Sequence, residues 1–119
     1  MILIELDRDR LETGDFLTGR LHWSAEDERR VNRIIVAAEW ETSGAGNIAS
    51  GVARSKIFTV AKGNREATFA FRLLIPYEGP VSFEGELIIM RWMLRAKVDQ
   101  AGFDEHAESD FVVIPRRAE

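Results

Sequence analysis

The sequence predicts an all-β chain, folded as a two-sheet sandwich of about seven strands. Three observations carry this. Apolar residues recur at every second position along most of the 119 residues, which is the period of an extended chain. Those positions are rich in β-branched and aromatic side chains, which suit a pleated, half-buried surface. Turn-forming Gly, Pro, Asp and Asn separate the alternating runs, a spacing that points to a sandwich or barrel.

The first strand spans residues 2–6, where Ile2, Ile4 and Leu6 alternate with Leu3 and Glu5. Thr13-Gly14-Asp15 supplies a turn. A second strand places Leu17, Gly19, Leu21 and Trp23 on one face and Phe16, Thr18, Arg20 and His22 on the other. Charged residues 25–29 interrupt it. In the third strand, residues 30–42, Ile34, Val36, Ala38 and Trp40 share a face. Ala and Glu there would also suit a helix, but β-branched and aromatic residues at period two favour the strand. Residues 43–51 hold three glycines and read as a loop. A fourth strand covers 54–61, followed by a turn at 62–65. The fifth aligns Phe69, Phe71, Leu73 and Ile75, and Pro76 stops it by removing an N–H donor. Residues 77–85 form a loop. The longest alternation, 86–99, puts Ile88, Met90, Trp92, Leu94, Ala96 and Val98 on one face. Leu87, Ile89, Arg91, Met93, Arg95, Lys97 and Asp99 take the other. A last strand, 107–114, ends at Pro115, and the tail 116–119 is expected to fray.

The totals bound the function. A chain of this length fits one domain, 1–119, with enough core to fold unaided. It contains no cysteine, which removes disulfide and thiolate-metal frameworks and any antibody-type Cys…Trp…Cys pattern. The net charge of −4 gives no positive field for nucleic acid. No apolar run approaches the ~20 residues that span a bilayer, and acids interrupt the start too early for a signal peptide. The expectation is a cytoplasmic protein that neither enters membranes nor binds nucleic acid.

The second half carries a recognisable order of residues. Phe69-x-Phe71-x-Leu73-x-Ile75-Pro76 leads to Pro80-x-Ser82-Phe83-x-Gly85, then to Ile89-x-Arg91-Trp92-x-Leu94-Arg95-Ala96-Lys97-Val98-Asp99. This resembles the N-terminal domain of the arrestin-like superfamily, in a short, prokaryotic-style single-domain form. Upstream, Gly14-Asp15-x-x-x-Gly19 is similar to a turn near the start of that domain. The resemblance implies an immunoglobulin-like, arrestin-like β-sandwich that serves as a scaffold or adaptor. Arrestins proper have two such domains and sense receptor phosphates with a lysine pair near the first strand. Residues 2–6 hold no lysine, and Asp7-Arg8-Asp9-Arg10 is mixed in charge, so phosphate sensing does not carry over.

No catalytic constellation is visible. His22 and His106 lie outside any nucleophile or metal motif, and a Ser43 or Ser50 nucleophile would need a base that only tertiary structure could supply. No cofactor is expected. An alternative reading makes the end loops a small-ligand or calcium module through Asp99, Asp104, Glu105, Glu108 and Asp110. Their spacing matches no EF-hand loop, and a solvated charged hairpin is the plainer account. A third alternative is a hydrolase whose site is not visible in sequence.

Arg91, Arg95 and Lys97 form a basic stripe, with Arg20 and Arg72 on other strands. The stripe could hold an acidic partner or simply pair across strands with Glu39 and Glu41. Apolar Leu87, Ile89 and Met93 share its face. The expectation is therefore a non-catalytic protein-interaction or scaffold domain. Its contact residues are Leu87, Ile89, Arg91, Met93 and Arg95, and it presents a sheet edge or face to a partner protein or to a second copy of itself.

Overall fold

The computed structural model describes residues 1–26, 30–44, 48–85, 88–100, 102 and 104–117. Among these, nine strands and no helix are present: β1 (Ile2–Leu6), β2 (Arg10–Glu12), β3 (Phe16–Ser24), β4 (Val31–Gly44), β5 (Ser50–Thr59), β6 (Glu66–Leu74), β7 (Phe83–Glu84), β8 (Ile88–Gln100) and β9 (Glu105–Ile114). The seven expected strands are there. Two short ones, β2 and β7, add to them. Residues 43, 44, 50 and 51, expected in a loop, instead extend β4 and β5.

The strands form two sheets. The smaller has the order β1-β3-β6. The larger runs β2-β9-β8-β4-β5, with β7 joined to β8. All pairings are antiparallel except β2 with β9. The fold class is the expected two-layer β-sandwich.

The inward faces are those the alternation names. Leu17, Leu21 and Trp23 from β3 and Phe71 and Leu73 from β6 meet Ile34, Val36 and Ala38 from β4. Trp92, Leu94, Ala96 and Val98 from β8 complete the same core. The short β2 contributes Leu11 and the end of β9 contributes Phe111 and Val113. Trp92 is fully enclosed. Its ring lies 5.7 Å from that of Phe111, and its indole N–H donates to the Pro80 carbonyl at 2.9 Å. The one polar atom of the side chain is thus satisfied, as burial requires.

Close approach and backbone conformation explain two glycines. A Cβ on Gly19 would lie 2.3 Å from the Glu5 carbonyl oxygen of the neighbouring strand. Gly14 adopts φ +86°, and a Cβ there would meet the Tyr77 ring at 2.6 Å, so both space and backbone select glycine. The turn that Gly14 makes also anchors the C-terminal segment. The Arg116 backbone N–H donates to Thr13 Oγ1 at 3.2 Å, and its guanidinium donates to the Thr13 carbonyl at 2.7 Å and to Asp15. Arg116 therefore does not fray as expected; residues 118 and 119 lie outside the described set.

The larger sheet is wider than the smaller. The radius of gyration is 15.9 Å and the principal extents are 48 × 35 × 17 Å, against about 13.5 Å for a compact chain of this length. At the β5 margin the core-side face of the larger sheet has little beneath it. Phe58 of β5 stacks on Phe69 of β6 at 4.7 Å. Beyond it, Lys56 and Arg54, which pair with the core residues Val36 and Ala38, stand in solvent.

Candidate functional site

The expected contact residues all come from β8 or the residue just before it. Leu87 lies outside the described residues. Ile89, Arg91, Met93 and Arg95 share the outward face of the larger sheet, as alternation requires. Register sets their neighbours: Arg91 faces Glu41, Met93 lies between Glu39 and Asp110, and Arg95 lies between Ala37 and Glu108.

The basic stripe is paired. The Arg91 guanidinium donates to Glu41 at 2.5 Å. Arg95 reaches Glu39 and Glu41 at 3.5 Å each and Glu108 at 3.3 Å. Lys97 meets Asp104 at 3.3 Å, and at one end Arg33 meets Asp99 at 3.0 Å. A column of cations thus runs between two columns of acids. Hydrogen bonding from Arg91, aided by the charges of Arg91 and Arg95, holds the Glu41 carboxyl below its ordinary range. On the other sheet, Arg20 pairs with Glu5 and Arg72 lies over the Phe16 ring at 3.6 Å. The cross-strand reading of the stripe is the one realised, and no free anion-binding patch stands on β8.

Met93 is a correction. It is fully buried, although it points away from the core and does not join it. Its neighbours on that face are Arg91, Arg95, Glu39 and Asp110. Long charged side chains such as these can cover apolar surface with their stems while their charges stay in water. Met93 is therefore covered in the chain itself and offers no exposed surface.

Two grooves flank this lattice. One, of about 690 Å³, runs beside Ile35, Ala37, Arg95, Lys97 and His106. The other, of about 370 Å³, is walled by Phe83, Ile89, Met90, Arg91 and Val112. Phe83 and Val112 are exposed, and sequence reading did not mark either as a contact residue. Phe83 sits in a strand of two residues, too short to show a period. Val112 stands in the apolar run Phe111-Val112-Val113-Ile114, whose composition does not tell which alternate residues face inward; Phe111 and Val113 are buried and Val112 is exposed.

The acids of the calcium reading are dispersed. Glu105 faces the smaller sheet and pairs with the N-terminal amine at 3.2 Å. Asp99, Asp104 and Glu108 each pair with a cation. Among the described residues, no group of three or more acids or imidazoles is placed to hold a metal. Among the described residues, neither Ser43 nor Ser50 meets an imidazole. Ser43 faces Ile89 and His106 faces Lys97 along β8, a separation of about 26 Å at strand rise. His22 is on the other sheet, 3.2 Å from Thr68 Oγ1 and 3.4 Å from Glu5.

The two-sheet arrangement has a counterpart among solved structures. One such counterpart is Spo0M, a sporulation control protein from Bacillus subtilis. Its crystal structure matches with a TM-score of 0.75 and 16% identity, over 97% of this chain. The chain spans about half of Spo0M, 49% of its length. Spo0M has an arrestin-like sandwich, and this chain has the same fold. No protein-family model matches the sequence, and no curated protein matches it. No helix among the described residues is long and apolar enough to cross a membrane.

Proposed function

We propose that this chain is a cytoplasmic, non-catalytic interaction domain that docks a protein partner in the cleft between β7 and the end of β9, at the margin of its larger sheet. The observation that carries the reading is the apolar groove beside β7. Phe83 is 58% exposed and Val112 is 42% exposed. They flank the half-buried Ile89 and Met90 in one groove. Single exposed apolar residues are ordinary, whereas a continuous apolar groove with a polar rim marks a contact surface. Arg91 and Asp110 supply that rim. The likeness to a sporulation control protein is consistent with a regulatory role, but fold alone does not give function, so the groove carries the reading.

The test is affinity capture from the native cell with the wild-type chain and with Phe83→Asp and Val112→Asp. The expected result is one partner retained by the wild type and lost by both variants, with unchanged melting temperatures. Sedimentation of the purified chain tells whether that partner is a second copy. A partner held equally by all three proteins would overturn the reading.

A further inference from the structure

We infer that the free edge of β5 takes an acidic, extended peptide as an added antiparallel strand. This rests on the reading of the chain as an interaction domain, and it places a second docking site on the margin opposite β2.

β5 ends the larger sheet and pairs only with β4 among the described strands. The Val60 N–H donates to the Asn32 carbonyl at 3.2 Å. Antiparallel alternation then directs the backbone groups of Phe58, Lys56 and Arg54 toward β4. Those of Ile57 and Ser55 point away from the sheet. Unpaired strand groups of this kind are a template for another chain.

The charge on this edge selects the chain. Residues 50–59 contain Arg54 and Lys56 and no acid. The net charge of the whole protein is −4, so the edge is a cationic exception on an acidic molecule. Among the described residues neither cation meets a carboxylate. Arg54 donates to the carbonyl of its neighbour Ala53 at 2.8 Å, and Lys56 lies 5.2 Å from the Phe58 ring centre. Every cation of the β8 stripe, by contrast, already has an acid.

The register of an added strand follows. Its residues opposite Lys56 and Arg54 would occupy non-hydrogen-bonded pairs, where Cα atoms are about 4.5 Å apart and side chains come closest. Carboxylates at those alternate positions would meet both cations, and opposite charges across strands attract. On the other face, Ile57 is 55% exposed and Val52 is 59% exposed, so apolar residues between the acids would find apolar neighbours. A second β5 is a poor occupant. Two-fold pairing centred on Ser55 would set the Arg54 of each copy against the Lys56 of the other, and facing like charges repel. The cations thus guard the edge against self-pairing while leaving it open to an acidic strand.

The probe is a fluorescent ten-residue peptide alternating glutamate with valine, with a control alternating lysine with valine, titrated by anisotropy. The glutamate peptide should bind, more weakly as salt rises, and the lysine peptide should not. It should protect the Ser55 and Ile57 amides from hydrogen exchange. The double variant Arg54→Glu and Lys56→Glu should weaken binding about tenfold or more. Ser55→Pro removes an N–H aimed at the free edge, a place where a strand tolerates proline, and should weaken binding with little change in melting temperature. If that variant does not fold, the charge reversal alone decides.

Failure of the glutamate peptide to bind would overturn the inference. So would equal binding of the lysine peptide, binding indifferent to the charge reversal, or protection confined to β6 or β1. None of these outcomes touches the groove beside β7, whose own variants decide the broader reading.

Discussion

Gly19 shows how one hydrogen in place of a methyl group determines a strand pairing. It sits mid-strand opposite Leu6 and Phe71, where glycine ordinarily weakens a sheet. A Cβ there would collide with the Glu5 carbonyl oxygen and with the Phe71 ring at 2.8 Å. Backbone cannot yield as a flexible side-chain end can, so β1 would have to move away from β3. Gly19→Ala is expected to cost about 1–3 kcal/mol, read as a lowered midpoint in urea denaturation. Trp92 poses the opposite case. Its enclosure between Trp40 and Phe111 means that Trp92→Ala should cost ~3–5 kcal/mol as a core truncation. Both residues stand on the face that period two assigns them, so their burial was legible from the sequence. The contact with Glu5 was not, because it depends on which strand lies alongside.

The long strands were readable and the short ones were not, for a plain reason. Five to fourteen residues show a period; the three of β2 and the two of β7 cannot. Met93 shows a different limit. Alternation correctly aimed it outward, but it says nothing of what neighbours do there. Whether an outward residue is wet depends on side chains from β4 and β9, brought beside it by the register. The anchoring of Arg116 by Thr13 was hidden likewise, since its partner lies 103 residues away. The lattice over Met93 carries a pH dependence. The carboxyl of Glu41 is held below its ordinary value of 4.5 in the folded protein. Its stabilisation is therefore present above that value and is lost as pH falls through the lower folded value. Glu41→Gln should cost less than about 1 kcal/mol at neutral pH, as an exposed pair does. Thermal melts toward about pH 2 should fall less steeply for Glu41→Gln than for the wild type. Parallel curves would mean that the pair adds nothing.

Across the whole molecule, order should grade from centre to margin. β4 and β8 are flanked on both sides and line the core, whereas β5 is held by one neighbour and shows mostly exposed side chains. Local opening is easiest where few apolar contacts must break. Native-state hydrogen exchange should therefore find the amides of β4 and β8 the slowest, and those of β5 beyond Phe58 among the fastest within strands. Equal protection across both strands would show that the overhanging margin is tied down as firmly as the centre.

The register between β4 and β5 shifts once, at Ala38 and Glu39, leaving Ala53 as a supernumerary residue. Up to that point Arg54, Lys56 and Phe58 keep in step with the core-side residues of β4. Past it the count is offset by one, which places Gly51 against Trp40, whose indole would otherwise be struck by a side chain at 2.7 Å. That single residue works as a phase shifter. Drawing it into the ladder would leave two options, each damaging: Val52 replaces Gly51 beneath the indole, or the two cations rotate to the opposite face of the ribbon.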